Sequence, residues 1–235
     1  MRRLALNEEN YRESPCYDSR RALSIACDNL GALAAEAATP EKTAEAEKWY
    51  RRSLELDEEN YREMPCYDTR QSLSVICDRL GRMAREKGGD AGEKEAAHWY
   101  RKSLELDEQN YQENPGQKSR RNLSVTCCTL GDIALERRSP EAEAEAEGWY
   151  RRCLVLDEES YRENPSRACR RNLAVTLERL GELAERRKEY EAAEEWCRKA
   201  MVLYEQNLQE KPDQSSRRSV GILYQMLGTL LQNAY

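Results

Sequence analysis

The sequence predicts an all-α protein built from repeated pairs of helices, and two recurring stretches predict it. The first stretch reads WYRRSLELDEENY from Trp49, WYRKSLELDEQNY from Trp99 and WYRRCLVLDEESY from Trp149, and a divergent copy, WCRKAMVLYEQNL, begins at Trp196. The second stretch ends in Leu-Gly, as in SLSVICDRLG, which ends at Gly81. The four tryptophans are 50, 50 and 47 residues apart, and a recurring period of this length is the signature of a repeat protein. The chain shows neither sustained apolar–polar alternation nor a hairpin dipeptide between apolar runs, so the sequence predicts no strand.

The stretch that begins with Trp is predicted to lie in the second helix of each unit, which we term the B helix. Between Ala46 and Tyr61 the apolar residues recur at spacings of three, four and seven, which places them on one face of a helix. The triplets TPE from Thr39 and SPE from Ser139 supply an N-cap followed by Pro at the first helical position. We expect each B helix to run for about 20 residues and to end shortly before Pro65 or its repeat equivalent.

The Leu-Gly stretch is predicted to be the first helix of each unit, which we term the A helix. Its apolar residues Leu73, Ile76, Leu80 and Met83 again follow helical spacing. Taken in order, a partial B helix, four A/B pairs and a final A helix make ten helices. We therefore predict one repeat array over residues 1–235. Its parts are a partial B helix at 1–13, A/B repeats at 16–63, 66–113, 116–163 and 166–210, and a terminal A helix at 213–235.

The A and B helices together resemble the tetratricopeptide repeat, whose motif reads W-x2-L-G-x2-Y, then A-x3-F, then P. In the second repeat Cys77 stands at the Trp position, Leu80 and Gly81 match Leu-Gly, and Ala96 and Tyr100 match A-x3-F. The usual period is about 34 residues, against 47 to 50 here, so the chain looks like a long-period bacterial form of the repeat. The resemblance implies a right-handed superhelical solenoid of antiparallel helix hairpins that binds other proteins or peptides.

In tetratricopeptide arrays the A helices line the concave surface, and ligands lie across them. Carried over to this chain, the resemblance implies a binding column at positions i, i+3 and i+7 of each A helix, which share a face. With two flanking asparagines, the predicted binding residues are Arg21, Ser24, Asp28, Gln71, Ser74, Asp78, Arg121, Asn122, Ser124, Cys128, Arg171, Asn172 and Glu178. The expected ligand is a protein or peptide segment.

A second column places one arginine near the start of each A helix. Its members are Arg20, Arg70, Arg120, Arg170 and Arg217. An arginine at this position faces the positive end of the helix dipole, so an acidic group must offset its charge. Two interpretations remain open. The arginines form ion pairs with carboxylates of the B helices such as Glu63, Glu113 and Glu163, or they form an edge that binds carboxylates or phosphates of a partner.

Composition argues against several other classes of function. The 38 basic and 44 acidic residues give a net charge of −6, which offers no overall attraction to nucleic acid or to an anionic membrane. The sequence has no apolar run of the roughly 20 residues that span a membrane, and its N-terminus lacks a signal-peptide pattern, so we expect a cytoplasmic protein. His98 is the only histidine, and the chain has no Gly-rich phosphate loop. We therefore expect no metal, no cofactor and no enzyme activity.

The nine cysteines follow the repeat positions. Cys27, Cys77 and Cys127 share one position, and Cys153 stands where the two earlier repeats have Ser. A free cysteine is typically a small buried apolar residue, so we expect reduced and mostly buried thiols. The alternative is redox sensing, either by Cys127 together with its neighbour Cys128 or by Cys169.

The two ends of the chain look like interrupted repeats. The stretch MRRLALNEENY aligns with the Trp stretch from Arg51 onward, and the apolar segment 220–231 has no B helix after it. We expect a piece of a longer array, serving as the recognition or sensor part of a larger bacterial protein. The first alternative is a structural element that self-associates through its uncovered ends, and the second is an array that binds nucleic acid.

Overall fold

The computed structural model describes residues 2–37 and 39–233, and over these residues the chain consists of ten α-helices and contains no strand. The helices are α1 (Arg2–Glu13), α2 (Tyr17–Glu36), α3 (Pro40–Glu63), α4 (Tyr67–Lys87), α5 (Gly89–Glu113), α6 (Gln117–Glu136), α7 (Pro140–Glu163), α8 (Arg167–Arg186), α9 (Tyr190–Glu210) and α10 (Gln214–Asn233). The even-numbered helices are the A helices and the odd-numbered ones are the B helices. The all-α class and the number of helices predicted from the sequence are confirmed.

The B helices begin where the sequence predicts and are longer than expected. The hydroxyl of Thr39 accepts a hydrogen bond from the backbone N–H of Lys42, and Pro40 occupies the first turn of α3. The helices α3, α5 and α7 contain 24, 25 and 24 residues, rather than about 20, because each continues until two residues before the next proline. Between α4 and α5 the break falls at Gly88 and Gly89, whose φ angles of 67° and 69° favour glycine.

The chain divides into two compact units. The first unit, Met1–Asn114, contains α1 to α5, and the second unit, Pro115–Tyr235, contains α6 to α10. Within each unit an A helix packs most extensively against the B helix that follows it, as α4 does against α5 and α6 against α7. The helix pairs therefore correspond to the sequence repeats.

The A and B helices approach each other most closely at the glycine of the Leu-Gly stretch. A Cβ atom on Gly31, Gly81 or Gly131 would lie 2.5, 2.9 or 2.5 Å from the buried tyrosine ring of the following B helix. In the fourth pair the same atom on Gly181 would lie 2.9 Å from Sγ of Cys197. A side chain at these positions would force the helices apart, which is the packing reason that the sequence predicts for the repeated glycine.

Candidate functional site

The predicted arginine column lies mostly inside the protein. Arg70 is 5% exposed, its Nε donates to Oδ1 of Asn110 at 2.7 Å, and its guanidinium pairs with Glu113. Arg20 pairs in the same way with Asn60 and Glu63. These contacts join the start of an A helix to the end of the next B helix, and we call each set an arginine clamp.

The same clamp recurs in the second unit. Arg170 contacts Asn207 at 2.8 Å and pairs with Glu210, while Arg120 pairs with Glu163 at 2.6 Å. Because these guanidinium groups are almost fully covered, the arrangement corresponds to the ion-pairing interpretation. The prediction of an anion-binding edge is corrected accordingly for Arg20, Arg70, Arg120 and Arg170. The fifth member, Arg217, is exposed.

The serines of the predicted binding column also lie between the helices. Ser24, Ser74 and Ser124 are each 3% exposed. Oγ of Ser24 donates to Oδ1 of Asp57 at 2.7 Å, and Oγ of Ser124 donates to Oδ1 of Asp157 at the same distance. Their placement on a ligand-binding face is therefore corrected. The hydroxyl group of such a serine has its hydrogen-bond partner inside the fold. The solvent-exposed face of the A helix begins at the next residue along the chain.

The acidic members of the predicted column are partly buried and already engaged. Asp28 lies 3.4 Å from Nε of Arg79, and Glu178 accepts a hydrogen bond from the hydroxyl of Tyr204 at 2.8 Å. Burial raises the pKa of Asp78 to about 6, although a hydrogen bond from Ser103 lowers it. Burial also raises the pKa of Glu178. The carboxyl groups at these positions thus contribute to contacts within each unit.

The remaining members of the column are more accessible. Arg21, Arg121 and Arg171 are exposed, and the partly buried positions are Gln71, Asn122, Cys128 and Asn172. One signal on this open face escaped the sequence prediction. The residue after each buried serine is β-branched and exposed, namely Ile25 at 47%, Val75 at 41% and Val125 at 48%. Each unit therefore presents apolar side chains on the open face of its A helices.

A groove in the second unit brings several predicted residues together. It has a volume of about 380 Å³ and lies where α6, α8 and α10 begin, above the C-terminal half of α9. Its predicted members are Arg121, Arg171 and Asn172. The sequence interpretation missed the others, which are Arg167, Ala168, Tyr204, Asn207, Asp213, Ser215, Ser216 and Ser219. We call this site the arginine groove.

The floor of the arginine groove is fixed by the cap of α10. Asp213 accepts hydrogen bonds from the backbone N–H and the hydroxyl of Ser216, both at 2.9 Å, and Arg167 donates to the other oxygen of Asp213 at 2.7 Å. The bonds from Ser216 and then from Arg167 lower the pKa of Asp213. Three arginines thus line the groove with a single carboxylate, which is already engaged by Arg167. The arginine groove therefore carries a net positive charge, although the net charge of the whole chain is −6.

A second cavity in the same unit has balanced charges. Its volume is about 600 Å³, and Arg179 at its wall lies 3.2 Å from Asp132 and 2.8 Å from Glu182. The hydroxyl of Tyr150 also donates to Asp132 at 2.7 Å. The polar groups of this cavity mostly satisfy one another, so the arginine groove is the better candidate for binding a ligand.

Two further observations concern metals and membranes. Among residues 2–37 and 39–233, no group of three or more His, Cys, Asp or Glu side chains is arranged to hold a metal ion. In the same described residues, no helix combines the length and the apolar character needed to cross a membrane.

Comparisons with known proteins identify the fold class. No protein-family model and no curated protein matches the chain. Among solved structures, the chain is similar to the crystal structure of BtubC (BKLC) from P. vanneervenii, with a TM-score of 0.63 and 20% identity over 99% of this chain and 83% of that chain. It is less similar to a circular tandem repeat protein with novel repeat topology and enhanced subunit contact surfaces, with a TM-score of 0.45 and 22% identity over 98% and 57% of the two chains. The likeness to BtubC shows that the chain has a helical repeat fold.

Proposed function

We propose that the chain is a tetratricopeptide-like interaction module whose arginine groove binds an acidic segment of a partner protein or peptide. The observation that supports this function is the meeting of Arg121 and Arg171, from two successive A helices, in one groove of a chain with a net charge of −6. Both side chains are exposed, and neither is ion-paired within the described residues. The proposal includes a cytoplasmic, bacterial setting and assigns the chain neither a catalytic step nor a cofactor.

The chemistry of the groove suits a carboxylate flanked by an apolar residue. A guanidinium group binds a carboxylate through two parallel hydrogen bonds, which fixes its orientation as well as its position. The first two turns of α10 add the hydroxyls of Ser215 and Ser219, and the positive end of the helix dipole at the start of α10 favours an anion. Val125 lies one turn after Arg121 on α6 and is 48% exposed, so it offers an apolar contact beside the charged pair.

A peptide array tests the proposal. Immobilised 12-residue peptides that combine Glu or Asp with Leu are compared with matched peptides in which each acid is replaced by its amide. We expect the acidic set to bind selectively and its binding to weaken with added salt. The Arg121→Glu/Arg171→Glu variant should lose at least tenfold in affinity. The control is Arg151→Glu/Arg162→Glu, which makes the same charge change at exposed positions of α7.

Each outcome of the array bears on the proposal. Equal binding by the two variants would show that the arginine groove is not the binding site. A preference for the amide peptides would show that the ligand is not an acidic segment. Capture from cell lysate with and without nuclease addresses the alternative of nucleic acid. A ligand that disappears with nuclease would support that alternative instead.

A second candidate function is self-association through α10. This helix exposes Ile222 at 40%, Tyr224 at 59% and Leu231 at 46%, and exposed apolar side chains on one helix favour a protein contact. Sedimentation in reducing buffer over a hundredfold range of concentration tests it. An Ile222→Glu/Leu231→Glu variant should abolish any dimer that the native chain forms, and a strict monomer at all concentrations would eliminate the idea.

A further inference from the structure

Two valines lie on the solvent side of the B helices of the second unit. Val155 on α7 and Val202 on α9 are each 55% exposed. They occupy the same position of the repeat, directly before a buried leucine. In α3 and α5 of the first unit this position holds Glu55 and Glu105. The valine is thus confined to the second unit, where α7 and α9 both carry it.

Neither the helix nor the core requires these valines. Val has a lower helix propensity than Glu, so an exposed helical position favours the residue of the first unit. In α3 the glutamate also forms an ion pair, since Arg52 lies 2.8 Å from Glu55. The core is completed by other residues, because Leu154, beside Val155, packs against the apolar cluster that contains Met201 of α9. Exposed valines on two neighbouring helices therefore indicate a contact outside the chain.

Charged residues flank the valine in the same order on both helices. On α7 Arg151 lies one turn before the valine, and Glu158 lies about one turn after it. On α9 Arg198 and Glu205 have the same positions, and residues at these spacings share one face of a helix. The intervening helix α8 runs antiparallel to both, since its start contacts the end of α9 and its end contacts the start of α7. Hence α7 and α9 run in the same direction, with the arginines in one band and the glutamates in another.

We propose that the outer face of α7 and α9 is a self-association surface, on which a second copy of the chain docks about a two-fold axis. We call it the valine face, and its residues are Arg151, Val155, Glu158, Arg198, Val202 and Glu205. The axis runs across both helices at the level of the valines, so that each helix lies antiparallel to its counterpart. The inference is independent of the proposed binding function, and its surface differs from that of α10.

The order of the charges selects this axis. In the antiparallel arrangement the valines of the two copies meet at the centre, and the arginine band of each copy faces the glutamate band of the other. An axis parallel to the helices would instead place Arg151 opposite Arg151, and like charges repel. In the first unit, Glu55 and Glu105 would face their own counterparts at the centre of the same contact. Only the second unit therefore has a self-complementary face of this kind.

The face of two helices is large enough for such a contact. α7 contains 24 residues and α9 contains 21. At about 1.5 Å per residue and a width of about 10 Å each, the two helices present roughly 600–700 Å², close to the roughly 800 Å² per partner of a stable complex. Arg151 and Arg198 are paired with Glu147 and Glu194 of their own helices. Exposed pairs of this kind hold their side chains weakly, so the arginines are available to a second copy.

Sedimentation of the full chain in reducing buffer, over a hundredfold range of concentration, tests the proposal. We expect a reversible dimer whose Kd rises at least tenfold in Val155→Glu/Val202→Glu. Glu is the native residue at the equivalent positions of α3 and α5, so the circular dichroism spectrum should be unchanged. The control is Gln109→Glu/Gln112→Glu, which adds the same two charges at exposed positions of α5 and should leave the Kd unaltered.

Charge reversal tests the pairing of the two bands. The variants Arg151→Glu/Arg198→Glu and Glu158→Arg/Glu205→Arg each place like charges opposite one another, so each alone should have a Kd at least tenfold higher than the native chain. An equimolar mixture of the two variants should form a mixed dimer, because every arginine then faces a glutamate again. A mixture that associates no better than its separate components would overturn the proposed arrangement.

The remaining outcomes separate the valine face from other contacts. A strict monomer at all concentrations would overturn the proposal, as would equal Kd values for the valine variant and its control. A dimer that Ile222→Glu/Leu231→Glu abolishes and Val155→Glu/Val202→Glu retains would assign the contact to α10 and would also overturn it.

Discussion

The second and third repeats pack their helices in the same way but fill the space between them with different polar groups. In α4–α5 the glycine at position 81 lies against the ring of Tyr100, and in α6–α7 Gly131 lies against Tyr150. Both rings are almost completely buried. The close approach of the two helices therefore depends on a small residue facing a large ring, and this requirement is the same in the two repeats.

The arginine clamps of the same two repeats differ. In the second repeat Nε of Arg70 donates to Asn110, whereas in the third the equivalent of Asn110 is Ser160. The hydroxyl of Ser160 turns back to the carbonyl oxygen of Leu156 at 2.9 Å, and Nη1 of Arg120 is buried without an acceptor among the described residues. The apolar contacts between Gly and Tyr thus set the spacing of the helices in both repeats. The buried polar groups differ between the repeats, and the third repeat loses free energy of folding where Arg120 has no acceptor.

The largest expected effect comes from removing the shared contact. We expect Tyr100→Ala and Tyr150→Ala each to lower the free energy of unfolding by about 3–5 kcal/mol, the range for deleting a buried aromatic ring. The losses should be similar because the two rings fill equivalent sites. Urea unfolding followed by circular dichroism measures them. Tyr161→Ala is the control, since that side chain is only partly buried and should cost less. A loss below about 1 kcal/mol at either ring would contradict the shared role.

The sequence was sufficient to predict the helices and their contacts because these follow from the repeat itself. The repeat period predicts the positions of the A and B helices, and the TPE triplet at Thr39 predicts the N-cap of α3. The recurring Leu-Gly predicts the close approach of the two helices at Gly31. The face of the A helix that is open to a ligand was predicted less well. Ser24 and its equivalents were assigned to the surface, whereas each lies buried and Ser24 faces Asp57.

The composition of the arginine groove shows a second limit of the sequence. Arg121, Arg171 and Asn172 were predicted because each belongs to the helix column that the repeat defines. Arg167 and Ser216 were missed, since they meet only when the start of α8 packs beside the cap of α10. A contact between residues far apart in the sequence depends on the packing of several helices, and no local pattern reports it. The exposed β-branched residue that follows each buried serine is the signal that could have oriented the A helices.

The next-largest expected effect concerns the carboxyl group of Asp78 in the second repeat, since the third repeat has Cys128 at the equivalent position. Burial raises the pKa of Asp78 to about 6, above the value of about 3.9 for an unfolded chain. The folded state therefore binds more protons between about pH 4 and pH 6, and its stability falls as the pH rises through this window. Asp78→Asn removes the charge and keeps an acceptor for Ser103, so it should raise the free energy of unfolding at pH 7 by about 1–2 kcal/mol.

Urea unfolding of the Asp78→Asn variant at pH 4.5, 5.5 and 7 checks this expectation. The gain should shrink toward zero at the lowest pH, where the native carboxyl group is protonated as well. Glu86→Gln changes an exposed charge on the same helix and should leave the pH profile almost unaltered. If Asp78→Asn instead destabilises the chain at pH 7 and the loss shrinks toward pH 4.5, the carboxyl group is stabilising as an ion, and burial does not raise its pKa.

The smallest effect is expected from Ser160→Asn, which gives the arginine clamp of the third repeat the same residue as that of the second repeat. The variant provides a side-chain acceptor opposite Arg120, whose side chain is 5% exposed. An intramolecular hydrogen bond typically contributes on the order of 1 kcal/mol net, and we expect a gain of about that size in the free energy of unfolding.

The reverse exchange, Asn110→Ser, should cost about 1–3 kcal/mol because it leaves Nε of Arg70 without its acceptor at 2.7 Å. Urea unfolding of both variants, and of each with its arginine replaced by Met, isolates the pairwise contribution. If the gain from Ser160→Asn persists when Arg120 is absent, it arises from the helix or from side-chain packing, and the clamp is not its cause. A gain that disappears with the arginine would show that the two repeats differ in stability through one buried acceptor, while sharing the packing of Gly and Tyr.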